Sequence, residues 1–254
     1  MGHKRRKIGS KDVVIVEHHH HVLPAWCEER RRQGAPVRVV SFDHDTDTAS
    51  AFRRWISKKY AAVITPPPGA YENELAQQLA SIDIANAATV EAAVVRLAYD
   101  EHIDCALLLG VVDRCYVNLS WGDGGTHHHK VDILEMAPCY RGCSLSSHGT
   151  DACSRGKADR VIDSAVLAPR MASIAQDSGP LVPGSFVLDV DLDVFSTAAA
   201  IAPPCSNAFR ELVRDASLIT IAREPSCVQN CRLQVETIDA DYLEAELLAI
   251  IASE

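Results

Sequence analysis

Ser185-Phe186-Val187-Leu188-Asp189-Val190-Asp191-Leu192-Asp193 decides how this chain folds: an apolar run that ends in three aspartates at alternate positions. β-Branched and aromatic residues in an unbroken run predict a strand buried on both faces. A second stretch has the same form, Val37-Arg38-Val39-Val40 leading into Ser41-Phe42-Asp43-His44-Asp45-Thr46-Asp47. Carboxylates two residues apart at a strand end project to one side of the sheet. Unpaired, they repel one another and cost several kcal/mol to desolvate. Divalent cations remove both penalties. The two clusters therefore predict the oxygen-rich half of a metal site that holds two ions.

The first apolar run, Val13-Val14-Ile15-Val16-Glu17, leads directly into His18-His19-His20-His21. Taken alone, four surface histidines in a loop are the simpler account. Their place alters that, because sites in an open α/β sheet form beyond the carboxyl ends of its strands. Three strand ends then supply imidazole and two sets of three carboxylates.

Further runs at Ala61–Ile64, Cys105–Val112, Tyr116–Trp121, Val131–Met136 and Leu218–Ala222 also predict strands. Helical spacing of apolar residues marks Thr46–Lys59, Tyr71–Leu79, Val90–Tyr99, Ala158–Gln176, Asn207–Ala216 and Asp239–Ser253. The alternation predicts an α/β fold of three layers, α/β/α, around a mostly parallel sheet. Residues 1–12 are expected to be a flexible basic N-terminus, and 13–254 one domain, within reach of a single core.

With 25 basic against 34 acidic residues the formal charge is −9, which argues against nucleic acid and anionic membranes as partners. No apolar stretch reaches the length of a membrane span. The start, Met1-Gly2-His3-Lys4-Arg5-Arg6-Lys7, has no apolar segment behind it and does not read as a secretory signal. The expectation is a soluble, intracellular, cytoplasmic protein, with a nuclear address as the other reading of the basic run. Nine cysteines are an odd count and argue against a disulfide framework. Cys139-x3-Cys143 and Cys227-x3-Cys231, with Cys153, suit incidental reduced thiols better than zinc, whose usual knuckle has two intervening residues. Glu28-Glu29-Arg30-Arg31-Arg32 reads as the solvated face of a short helix. No phosphate-cradling or dinucleotide-binding glycine motif follows a strand.

The order Glu17-His18-His19-His20, then Ser41–Asp47, then Leu188-Asp189-Val190-Asp191-Leu192-Asp193-Val194-Phe195-Ser196-Thr197 resembles an uncharacterised eukaryotic family within the arginase/deacetylase superfamily. Leu218-Ile219-Thr220-Ile221-Ala222-Arg223-Glu224 resembles that family's last core strand. The resemblance implies metal ligation by His19, Asp43, Asp47, Asp189 and Asp191, with Asp43 and Asp189 bridging. The arginase pattern Asp-x-His-x-Asp carries Asp45 at its middle position here, so an imidazole has become a carboxylate and His44 is displaced by one residue. A carboxylate can still bind Mn²⁺, and Asp45 is expected among the metal ligands. Asp193 reads either as a carboxylate that orients ligands, alongside His44, or as a cap of the next turn. The resemblance also implies that Glu224 stands near a substrate cavity. His20 is the first candidate for proton transfer, and His127–His129 the second.

Oxygen-dominated coordination with one histidine favours Mn²⁺, with Fe²⁺ or a single Zn²⁺ as alternatives. A bridged pair would generate hydroxide near neutral pH for hydrolysis of a linear C–N bond in a small-molecule substrate such as an amide, guanidine or acylated amine. Two rival expectations come from other classes. One is a catalytically inactive relative that serves as a binding module; the other is an interaction protein stabilised by zinc on its cysteines.

Overall fold

The computed structural model of the protein describes residues 4–61, 67–119, 128–134 and 156–254. Seven strands form one sheet: β1 (Lys4–Ile8), β2 (Lys11–Val16), β3 (Val37–Asp43), β4 (Val112–Leu119), β5 (Val131–Leu134), β6 (Phe186–Asp191) and β7 (Leu218–Ala222). Their spatial order is β1-β2-β7-β6-β3-β4-β5. Every neighbouring pair is parallel except β1 with β2. From β3 the chain builds outward through β4 and β5, and from β6 it builds the other way through β7. The β3/β6 seam is therefore the switch point at which a crevice opens beyond the strand ends.

Alternation along each strand divides the core in two. Val13 and Ile15 of β2, Val40 and Phe42 of β3, and Leu188 and Val190 of β6 face one side. The helices α6 (Ser164–Ser178), α8 (Asn207–Asp215) and α10 (Ala240–Ala252) cover it with Leu167, Phe209, Leu243 and Leu247. Val14, Val39, Val117 and Val187 face the other side. There they meet α1 (Leu23–Gln33), α4 (Ala87–Val94) and α5 (His102–Leu108), through Trp26, Val90 and Ile103. Shorter helices complete the set: α2 (Arg53–Lys59), α3 (Ala70–Ala80), α7 (Ala198–Ile201) and α9 (Pro225–Cys231). The α/β class and the mostly parallel sheet flanked by helices are as the sequence predicts.

Three expectations change. The basic N-terminal run is not a loose tail from Lys4 onward. Lys4–Ile8 pairs antiparallel with β2 through the tight turn Gly9-Ser10, where Gly9 takes φ +56°. Its charges suit an exposed edge strand, and Arg5 bonds Glu28 at 2.6 Å. The run Cys105–Val112, read as a strand, is the end of α5 followed by the start of β4. Ala106, Leu107 and Leu108 are helix formers, and Gly110 at φ +64° ends the helix before the β-branched Val111-Val112 begins the strand. The expected helix Thr46–Lys59 begins only at Arg53, because Asp47 (φ +47°) and Phe52 (φ +57°) interrupt it. Most of the expected strand Ala61–Ile64, the ends of Tyr116–Trp121 and Val131–Met136, and the Gly122–Gly125 loop lie outside the described residues.

Among the described residues no helix is long and apolar enough to cross a membrane. Phe209 is fully buried and meets Phe42 edge to face at 5.2 Å, directly before Asp43. Truncation to Ala leaves a cavity beneath β3 and is expected to cost about 3–5 kcal/mol in urea unfolding of the chain.

Candidate metal centre

Four adjacent strands, β2, β7, β6 and β3, end side by side, and each delivers part of one buried cluster. After β2 the chain turns through a short 3-10 segment, His19–Val22. Of its histidines only His19 is fully buried. Asp43 closes β3, and the left-handed Asp47 brings a second carboxylate back over it. Asp189 and Asp191 belong to β6, and Asp193 to the turn that follows. Glu224, also left-handed at φ +35°, leads from β7 into α9. None of these six carboxylates exceeds 8% exposure.

Around His19 the geometry is specific. Its Nδ1 lies 2.8 Å from Asp47, 3.2 Å from Asp191 and 3.3 Å from Asp43. No hydrogen bond of acceptable angle reaches that nitrogen, and Asp43 Oδ2 also lacks one. Donor atoms at such separations are close enough together to ligate one cation. The other ring nitrogen, Nε2, is 2.8 Å from Asp189 Oδ2. With Nε2–H donating to that carboxylate, Nδ1 carries a lone pair and is the ligating nitrogen.

Asp189 is itself held on every side. Thr220 Oγ1 donates to its Oδ1 at 2.5 Å and Ser41 Oγ to its Oδ2 at 3.0 Å. Trp26 Nε1 donates in turn to Thr220 Oγ1 at 3.2 Å. This chain of donors occupies Asp189 and fixes the His19 ring. Glu224 fixes the His19 backbone: its Oε1 accepts the His19 N–H at 2.9 Å, and its Oε2 accepts from the Cys227 thiol at 3.0 Å.

Among the described residues, three groups of buried donors could each hold a metal ion, with one atom per residue and all atoms within 4.8 Å. They are His19–Asp43–Asp47, Asp43–Asp191–Asp193 and His19–His102–Asp189. Asp43 belongs to the first two. Asp193, expected to orient ligands or cap a turn, thus stands among the donors, with Oδ1 unpartnered and buried. Asp45, expected as a ligand, is exposed and outside all three groups. Its backbone N–H instead donates to Asp43 Oδ1 at 3.0 Å. His44 is half-buried on the same turn and also outside them. His20, expected to move protons, is in none of the three groups. Burial, then its neighbours His21, His18 and His19, push its pKa down to about 3.

His102 is the residue that sequence reasoning missed. It is fully buried, its ring centroid lies 4.3 Å from that of His19, and its Nδ1 is 3.8 Å from Asp47 and 3.2 Å from the Tyr99 carbonyl. Nothing in Asp100-Glu101-His102 announces this, since its place depends on how α5 packs against α1. Thr220 did carry a signal: one hydroxyl in the otherwise apolar Leu218–Ala222. No cysteine enters the three donor groups, and Cys139, Cys143 and Cys153 lie outside the described residues.

Without an ion the cluster is held together by protons. Burial acts to lower the His19 pKa, but the carboxylates of Asp189 and Asp191 outweigh it and hold it well above the ordinary imidazole range. Burial and the neighbouring carboxylates raise Asp47 and Asp193 well above their ordinary value, while burial takes Asp191 to about 7. His20 and His102, whose pKa values burial lowers, act the other way below about pH 6.5, so the metal-free fold loses stability on balance only as pH rises above that. The melting temperature of chelator-treated protein should decrease between about pH 6.5 and about pH 8. Added divalent cation should reverse most of that decrease, with an affinity that rises over the same interval as protons are displaced. A flat profile with chelator would show that the carboxylates are not protonated together. No protein-family model matches the chain, and no curated protein matches it.

Proposed function

We propose that this protein is a metal-dependent hydrolase of a linear C–N bond, built like the arginase/deacetylase superfamily around two adjacent divalent cations. The observation that carries the reading is the convergence of three buried carboxylates on His19 Nδ1 at 2.8–3.3 Å. His19 and Asp47 would hold the first ion, and Asp191 and Asp193 the second, with Asp43 shared between them. Asp189 then moves from bridging ligand to the group that orients His19, and the ligand frame on β6 shifts by two residues. That shift removes the need for a donor at Asp45. A donor set of four carboxylates and one imidazole suits Mn²⁺ better than a thiolate-bound zinc.

A bound cation pair supplies Lewis acidity and lowers the pKa of water at the centre. The chain's own contribution is placement. The Trp26–Thr220–Asp189 relay keeps the His19 lone pair aimed inward, and Glu224 keeps the His18–His19 backbone from moving. Burial of every donor excludes bulk water, which strengthens each electrostatic interaction with a developing negative charge. His20 is neutral across the physiological range and is a poor proton donor there.

A second reading has its own observation. The group His19–His102–Asp189 is richer in nitrogen and would suit a single Zn²⁺. Two variants separate the readings through metal analysis of protein purified without chelator or nickel resin. For a two-ion centre, Asp193→Asn should lower the content from about two ions per chain to about one, and His102→Ala should leave it near two. For the single-ion centre, His102→Ala should empty the site and Asp193→Asn should change nothing. Wild-type protein that takes up no divalent cation would leave an inactive binding module as the better account.

Asp189→Asn provides a further check. The amide keeps the Thr220 hydrogen bond but loses the charge that polarises His19. Metal affinity should fall about 10–100-fold without loss of stoichiometry at saturation.

A further inference from the structure

Two hollows adjoin on the surface around the His18–His21 turn. One, of about 350 Å³, lies between the start of α1 and α4, and its apolar wall includes Pro24, Ala88, Ala92 and Val95. The other, of about 410 Å³, lies against α2 and the segment after α4. Val95 lines both. Neither His19 nor any carboxylate of the metal centre lines either one, so this surface is separate from that centre.

Helix α4 and the turn after it are apolar on two sides, and the fold covers only one. Val90, Ala93 and Leu97 pack into the core. Ala88, Ala92 and Val95, spaced four and three residues apart, share a second face that is exposed. A helix with only one buried side ordinarily turns polar residues outward. Val95 is 61% exposed, and across the second hollow Trp55 and Tyr99 are 44% and 48% exposed. Three of the seven large hydrophobic side chains exposed among the described residues thus gather on one surface.

Charge on this surface has one sign per hollow. Arg54, Lys58 and Arg96 line the second hollow with no acidic side chain, although the chain carries a formal charge of −9. Arg54 is held in place, 4.5 Å over the Tyr99 ring and bonded to the Tyr99 hydroxyl and Asp100 at 3.0 Å each. Lys58 lies one turn further along α2 on the same face and has no ion pair among the described residues. Glu91 lines only the apolar hollow.

We propose that this surface docks a short acidic segment of a partner protein. One bulky apolar side chain of the segment fills the hollow between α1 and α4, and its carboxylates meet Arg54 and Lys58. Glu91 repels an acid from the apolar hollow and so sets the direction of the segment. Exposed Trp, Tyr and Arg side chains are the types that carry most of the binding energy at protein interfaces. The apolar hollow and the net negative charge disfavour a nucleic-acid strand.

The full-length chain, with and without added divalent cation, is titrated with fluorescein-labelled nine-residue peptides. Each has a central Leu, Phe or Trp flanked by Asp and Glu, and a control set has Lys at every acidic position. Saturable anisotropy change is expected for at least one acidic peptide and for no control, whether or not cation is present. Arg54→Gln and Lys58→Gln should each weaken binding about tenfold. Ala92→Arg, which fills the apolar hollow from an exposed helix position, should abolish it with the melting temperature unchanged. No saturation, equal binding of the lysine set, or full affinity in the three variants would overturn the proposal. So would a dimer of the chain in sedimentation that Ala92→Arg dissolves, because a second copy would then be the occupant.

Discussion

Negative charge crowded into a dry place is the constraint on which this architecture depends. Five aspartates and a glutamate reach the same end of one sheet with little solvent to screen them. At an effective dielectric of about 20, two unit charges 4 Å apart already repel by about 4 kcal/mol, and the cluster contains several such pairs. Only positive charge at the centre makes the arrangement tolerable. In the metal-free chain it comes from protons on His19 and the carboxylates, and a divalent cation would do the same more compactly. The fold is thus coupled to the occupancy of its centre.

The sheet order explains why the charges meet there. β2, β7, β6 and β3 are neighbours although they are far apart in sequence, and all four run parallel. Their carboxyl ends consequently share one edge, with the switch point at β3/β6. The alternating pleat then assigns the roles. Val190 points into one core, while Asp189 and Asp191 lie on the face of Thr220 and His19. Two separate hydrophobic layers, one on each side, fix the register. A slip of one residue would bury the wrong half of every strand.

How much of this could be read in advance differs by element. The parallel α/β class and the gathering of histidines and aspartates at strand ends follow from strand periodicity, whereas the choice of His19, Asp43, Asp47 and Asp191 among them came from the resemblance. The different surroundings of Asp189 and Asp193 did not follow, because three aspartates at alternate positions look alike in sequence. What distinguishes them is depth along β6: Asp189 lies opposite Thr220 and Ser41, whereas Asp193 lies past the strand end. Asp45 was misplaced for a related reason. Period-two reasoning holds only while the chain stays extended, and β3 ends at Asp43, so Asp45 falls on a turn that faces solvent. His102 was invisible because helix packing, rather than any local pattern, brings it to His19. The segment Cys105–Val112 shows the usual ambiguity of a continuous apolar run, which suits a buried helix as well as a strand.

Backbone strain marks the same place independently of charge. Among the described residues four non-glycine residues take positive φ, and two of them are Asp47 and Glu224. Each such conformation costs on the order of 1–3 kcal/mol and persists only where the surroundings over-determine it. For Glu224 the surroundings are the His19 amide and the Cys227 thiol, which occupy both carboxylate oxygens. For Asp47 they are His19 and the start of α5, which hold a carboxylate that would otherwise swing into solvent. A relaxed backbone at either position would withdraw one carboxylate from the cluster and lower its repulsion. The chain keeps both the strain and the repulsion, at the one edge where four strands end. On the metal-centre reading proposed above, a cation shared by the carboxylates would offset both.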